Sequence, residues 1–113
     1  PVGWIQGECV SWIEPRGIGL GLLPNPGFVR TLQAKTIHLR KEDTLLFQTD
    51  GFFEARNITG DEYGEMKIRD QMSALSGENA EQLLEGLKKD LDRFTKGISR
   101  HDDVTLMAVK IVK

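Results

Sequence analysis

Apolar and polar positions alternate along the first residues of the chain. "VGWI" and "ECVSWI" flank Gln6-Gly7, a short turn, so residues 2–5 and 8–13 read as a β-hairpin. Residues 14–28 carry Pro15, Gly17, Gly19, Gly21, Pro24, Pro26 and Gly27, a density of breakers that marks a loop with close backbone turns. "VRTLQAKTIHL" predicts a strand rich in β-branched residues over roughly 29–39. "RKED" turns it, and "TLLFQT" at 44–49 returns as a strand. That run lacks clean alternation, which places it in a sheet interior with both faces covered. After Gly51 the period changes. "FFEARN" suggests a helical turn and "ITGDEYGE" a loop, and residues 65–75 then set Ile68, Met72 and Leu75 at helical spacing. Asn79 with Gln82 forms a capping-box pattern. Leu83, Leu84, Leu87, Leu91 and Phe94 mark one face of the helix it opens, at 80–96, and Gly97 stops it. "DDVTLMAVKIV" closes the chain with a strand over about 104–112. Strands, two helices and one closing strand indicate an α+β sandwich and not an alternating βαβ chain.

Composition narrows the classes without adding detail. At 113 residues the chain fits one domain able to bury a sizeable core, and 39% hydrophobic with 28% charged residues is a globular mixture. Its 15 basic and 17 acidic residues are interspersed, giving a net charge of −2 with no basic footprint for nucleic acid. No apolar run reaches the ~18 residues of a membrane helix. The single cysteine, Cys9, excludes an internal disulfide framework, fits a reducing cytoplasm, and reads as a small buried hydrophobe within an alternating strand. The opening "PVGWIQGECV" lacks an initiator Met and reads as though it begins inside a fold, so the chain is expected to be a fragment.

Two acidic spots sit at the ends of apolar strands: Asp50 terminates "TLLFQT", and Asp102-Asp103 precedes "VTLMAV". If these strands are antiparallel neighbours, the carboxylates of Asp50 and Asp102 converge to within roughly 6 Å, where charges shift one another strongly. Convergence implies a metal or a shared proton, and Mg²⁺ and Mn²⁺ favour oxygen ligands. Gly51 would let backbone approach such an ion and supply a carbonyl. The bland alternative stays open, because Asp-Gly is a common turn and Asp102 could simply solvate a strand start. Gly17-Ile18-Gly19-Leu20-Gly21 fails the dinucleotide fingerprint, since Leu22 stands where the third glycine belongs and no helix follows. His38 reads as a surface histidine in a strand. His101 adjoins the acidic pair as a ligand, a substrate contact or a polar loop residue. No Ser-His-Asp arrangement and no cysteine–histidine metal spacing is present.

Taken together, Thr49-Asp50-Gly51, Glu54-Ala55-Arg56-Asn57, Tyr63-Gly64 and Asp102-Asp103-Val104-Thr105, in this order, resemble the metal-dependent serine/threonine protein phosphatases of the bacterial sporulation stage II E (SpoIIE) type, relatives of the type 2C phosphatases. "GIGLGLL" resembles the glycine-containing loop that precedes this block, and the resemblance covers nearly the whole chain. It implies an α-β-β-α sandwich of antiparallel sheets. Asp50 and Asp102 would be ligands of Mn²⁺ or Mg²⁺ in a two-metal site, with Asp103 a lesser ligand. A metal-activated water would attack phosphoserine or phosphothreonine on a signalling protein, such as an anti-sigma-factor antagonist in partner switching. The upstream Asp-Gly-x-Gly-His-Gly motif of that family is absent, so residues 1–113 are expected to be the C-terminal portion of the domain, its N-terminal half missing. Unpaired sheet edges would then favour a homodimer. A non-catalytic regulatory module retaining half the fold is the competing class. A receiver or a haloacid-type phosphotransferase fits less well: the former wants an early acidic pair, the latter Asp-x-Asp where this chain reads Asp50-Gly51-Phe52.

Overall fold

The computed structural model describes residues 1–14, 22, 24–99 and 103–113. Strands β1 (Val2–Gln6) and β2 (Cys9–Ile13) form the expected hairpin, closed by the two-residue loop Gly7-Glu8 between the paired Gln6 and Cys9. Helix α1 (Gly27–Thr31) follows, then strand β3 (Thr44–Gln48), the short helix α2 (Asp50–Glu54), helices α3 (Gly64–Ala74) and α4 (Ala80–Phe94), and strand β4 (Leu106–Lys110). The strands make one antiparallel sheet in the order β2-β1-β3-β4. β3 therefore lies in the sheet interior, with β1 on one side and β4 on the other.

The strand expected over 29–39 is not formed. Pro26 is the N-cap of α1, and residues 32–39 adopt no regular structure and are largely exposed. Strand propensity expresses how well a side chain packs on a half-buried pleated surface, and among the described residues these eight have no strand beside them. His38 accordingly lies in an exposed connection and not in a strand. Cys9 also departs from expectation: it is exposed, because it ends an edge strand and its register partner Gln6 is itself exposed.

The pairing register divides the sheet into two unlike faces. One carries the row Trp12–Gly3–Leu46–Ala108 and the row Val10–Ile5–Thr44–Lys110. On it sit α3 and α4, whose Ile68, Met72, Leu83, Leu87 and Leu91 form a continuous core with Ile5, Leu46, Phe52 and Tyr63. Gly3 lets this packing close up: a Cβ there would lie 2.4 Å from the Met72 methyl carbon and would push the end of that side chain aside. α4 begins with the capping box, Asn79 accepting from Gln82 N at 2.8 Å and Gln82 Oε1 accepting from Asn79 N at 3.3 Å. Its chain reverses at Gly97, whose φ of +85° lies in the left-handed region.

The opposite face carries the rows Ile13–Val2–Phe47–Met107 and Ser11–Trp4–Leu45–Val109. Neither α3 nor α4 covers it, and Met107 and Val109 remain 52% and 40% exposed. One helix layer and one sheet layer are thus present, with an apolar surface where a further layer would pack.

Leu87 is fully buried at the centre of the α4 face. Leu87→Ala is expected to lower the free energy of unfolding by about 2–5 kcal/mol in urea titration. A loss below about 0.5 kcal/mol, the range of surface substitutions, would show that the α4–sheet interface contributes little.

Candidate metal centre

β3 runs out of the sheet into α2 without a loop. Thr49 is extended (φ −85°, ψ 160°) as the N-cap residue, and Asp50 is the first residue of the helix. The sequence accounts for this: a half-buried strand end is followed four residues on by Phe52, whose burial draws the chain into a helical turn over the core. Asp50 is left exposed at the junction and half-buried Gly51 lies just inside the helix.

Thr49 connects this junction to the approach of β4. Its N–H donates to Thr105 O at 3.1 Å, its hydroxyl accepts from Thr105 N at 3.0 Å, and the same hydroxyl donates to Asp103 O at 3.4 Å. A hydroxyl can do both at once, one hydrogen out and one lone pair in. The antiparallel β3–β4 pair thus continues past its last ladder partners, Gln48 and Leu106, and holds the Asp103 backbone beside Thr49. Asp50 and Asp103 leave the sheet at the same end, on adjacent strands, both exposed.

Of the residues expected from sequence, Asp50 and Gly51 stand at the start of α2, and the backbone oxygen of Asp103 lies 3.4 Å from the hydroxyl of Thr49, which precedes Asp50. Asp102, and with it the expected approach of its carboxylate to Asp50, lies outside the described residues, as do His101 and the glycine loop 17–21. Among the described residues no group of three or more His, Cys, Asp or Glu side chains is gathered closely enough to hold an ion. The donor set is nevertheless of the right kind for a hard cation: exposed anionic oxygens, on strand ends fixed by backbone hydrogen bonds.

The segment after α2 is anchored just as firmly. Tyr63 N donates to Ala55 O at 2.6 Å, Arg56 donates to Gly60 O at 2.6 Å, and Arg56 also pairs with Glu62 at 2.9 Å. Asn57 Oδ1 accepts from Thr59 N at 3.1 Å and Asp61 N at 2.9 Å. The Tyr63 ring packs against Phe52 and Phe94, centroids 5.4 Å and 5.2 Å away, and its hydroxyl donates to Asp90 on α4. Burial, and then the Asp90 hydrogen bond, push the phenol well above its ordinary range. Sequence reading missed both anchors. Thr49 was legible as part of a motif but not as a brace. The Tyr63–Asp90 pair spans 27 residues and leaves no local signal.

Comparison with known proteins is consistent with this geometry. The family profile described as Stage II sporulation protein E (SpoIIE) matches residues 1–112. No curated protein matches the chain by sequence. Among solved structures, the phosphatase domain of the cell fate determinant SpoIIE from Bacillus subtilis superposes with a TM-score of 0.73 at 19% identity, over 100% of this chain and 48% of that one. The same domain from a Mn-presoaked crystal gives 0.69 at 20%, over 99% and 46%. The PP2C phosphatase domain with a fragment of its regulatory domain gives 0.77 at 19%, over 98% and 31%. The chain therefore has the fold of part of a PP2C phosphatase domain, and spans less than half the length of each of these three chains.

Two outcomes test the braces. Thr49→Val keeps the shape but removes the hydroxyl. It should cost about 1 kcal/mol in unfolding free energy and speed hydrogen exchange at the Thr105 amide, read by NMR. Since the folded state holds the Tyr63 proton more tightly than the unfolded chain, its contribution is complete below the unfolded pKa of 10.0 and is lost as pH rises above it. Stability measured at pH 9 and pH 11 should fall by less in Tyr63→Phe than in the native chain.

Proposed function

The chain belongs to the Stage II sporulation protein E family, and on that premise we infer that it is part of a metal-dependent protein serine/threonine phosphatase, contributing one side of a Mn²⁺ or Mg²⁺ site through Asp50. The observation that supports this reading is the Thr49 brace, which ties the backbone of Asp103 and Thr105 to the residue immediately before Asp50. Asp102, by its place in the motif, is the second principal ligand. Asp103 and the Gly51 carbonyl are lesser ones.

Bound there, the metal would supply an acidified water and neutralise phosphoryl oxygens. The work of this chain's residues is positional. Asp50 presents an anionic oxygen from a backbone that cannot retreat, since Phe52 N donates to Thr49 O at 3.0 Å and the Phe52 ring is buried beneath. Thr49 keeps Asp103 from swinging away when two like charges repel. The loop over 56–62 is wired in advance and so loses little freedom when a protein substrate docks beside it. The substrate proposed is a phosphoserine or phosphothreonine protein of bacterial signalling, of the anti-sigma-factor antagonist type, acted on in the cytoplasm. No helix among the described residues is long and apolar enough to cross a membrane.

The 113 residues alone offer two or three carboxylates for a cation that demands near-octahedral coordination. Manganese added to the isolated chain should broaden the NMR signals of residues 49–51 and 103–105 first, and Asp50→Asn should abolish that selectivity. Hydrolysis of a phosphoserine peptide by the isolated chain should not exceed background. Turnover in manganese that Asp50→Asn leaves unchanged would mean that the chemistry lies on other residues, and uniform broadening would favour a non-catalytic module.

A further inference from the structure

The chain's one tyrosine makes a contact that leads back to the candidate site. Tyr63 is 2% exposed, and its ring packs against Phe52 of α2 and Phe94 of α4. A phenylalanine would fill that space as well, so what the hydroxyl adds is its partner, the Asp90 carboxylate. Asp90 in turn gains little from its own helix. It is half-buried between Leu87 and Leu91 of the apolar face, where a carboxylate needs a partner, and aspartate is among the poorer helix formers. Its other contact, with Arg93 at 3.6 Å, is to a side chain 77% exposed, and such pairs are worth little.

From Tyr63 the connection runs on to Asp50. Tyr63 N donates to Ala55 O at 2.6 Å, closing the C-terminal end of α2, and the Tyr63 ring lies 5.4 Å from that of Phe52. Phe52 N donates to Thr49 O at 3.0 Å across the turn that holds Asp50. α2 has five residues, too few to be helical by itself, so the backbone of Asp50 and Gly51 is only as well placed as Tyr63 is. Each of these contacts joins two residues of this chain, so none depends on what packs around it. We propose that Asp90 is a positioning residue for the candidate metal centre, acting through Tyr63 to hold α2, and with it Asp50 and the Gly51 carbonyl, in place. This rests on the metal-centre reading of Asp50 and deepens it. It puts a determinant of metal affinity on α4, a helix that carries none of the expected ligands.

Amide hydrogen exchange of the 113-residue chain in EDTA, read by NMR, tests the connection without metal. Tyr63→Phe and Asp90→Ala should each speed exchange at the amides of residues 52 and 63 by about 10- to 100-fold, the equilibrium worth of a hydrogen bond to a charged group. The double variant should do no more than either alone, and Asp90→Asn, which keeps an acceptor, should restore most of the protection. Manganese is then titrated at a temperature where circular dichroism shows every variant folded. Selective broadening at residues 49–51 should need about three- to tenfold more ion in Tyr63→Phe and Asp90→Ala, less than the loss of a ligand's own hydrogen-bond partner costs. Tyr63→Phe keeps the buried ring and decides the matter alone if Asp90→Ala does not fold. Faster exchange confined to β3 and α4, or an unchanged manganese response in the folded variants, would make the contact merely structural and overturn the proposal. So would effects of the two substitutions that add. If the wild type shows no selective broadening while the residue 52 amide responds as stated, the metal-centre reading fails and the link from α4 to α2 stands.

Discussion

The antiparallel pairing of β3 with β4 is the constraint on which the rest depends. Antiparallel strands put the end of one beside the start of the other, so whatever leaves β3 at Thr49 must meet whatever enters β4 before Leu106. Parallel strands would have placed these two positions at opposite ends of the sheet. The Thr49 hydroxyl extends the pairing where the ladder stops, substituting a side-chain acceptor for a backbone one at Thr105 N. The acidic residues Asp50 and Asp103 flank this brace on the two strands.

Rigidity at this end comes from the core beneath it. Phe52 is fully buried and begins a chain of aromatic contacts through Tyr63 to Phe94 on α4. The Tyr63 hydroxyl completes the connection at Asp90, and the cost of burying a phenol is offset because its hydrogen bond is to a charged group. α2 has five residues and could not hold a helical conformation by itself. It is helical because Phe52 is anchored at one end and Ala55 is tied to Tyr63 at the other.

Much of this was legible in the sequence where local signals were dense. The capping box at Asn79 and Gln82 and the leucine face after it state a helix twice over, by termination chemistry and by period, and α4 forms as read. "TLLFQT" had no alternation because β3 carries apolar residues on both faces; its place inside the sheet was legible, but only one face lies against the helices, where both were expected to be covered. "VRTLQAKTIHL" failed for a different reason. Its β-branched residues favour an extended chain, but a strand also needs a neighbour, and that is decided by residues far away in sequence. Cys9 shows the same limit: alternation identified a strand and said nothing about which of its two faces the helices would cover. At the site, residue types and spacing indicated Asp50 and Asp102 with Asp103 a lesser ligand, and Asp102 lies outside the described residues, while the interactions that brace this end of the sheet, Thr49 with Thr105 and Tyr63 with Asp90, join segments that no local pattern connects.

β4 connects the two ends of this account. Its backbone groups alternate in direction, and those of Thr105 and Ile111 are consumed by β3 and by the turn at Glu42-Asp43. That turn is itself held by a buried carboxylate, Asp43 accepting from Trp4 Nε1 at 3.1 Å and from Arg40 N at 3.0 Å. The arrangement that fixes the candidate site on one side of the strand therefore leaves the even-numbered residues directed outward on the other. Lys110, the one charged residue of β4, is drawn back onto Glu78 O at 2.8 Å and Glu42 at 3.3 Å, so the turn that holds Asp43 also fixes the far end of the strand that braces Thr49.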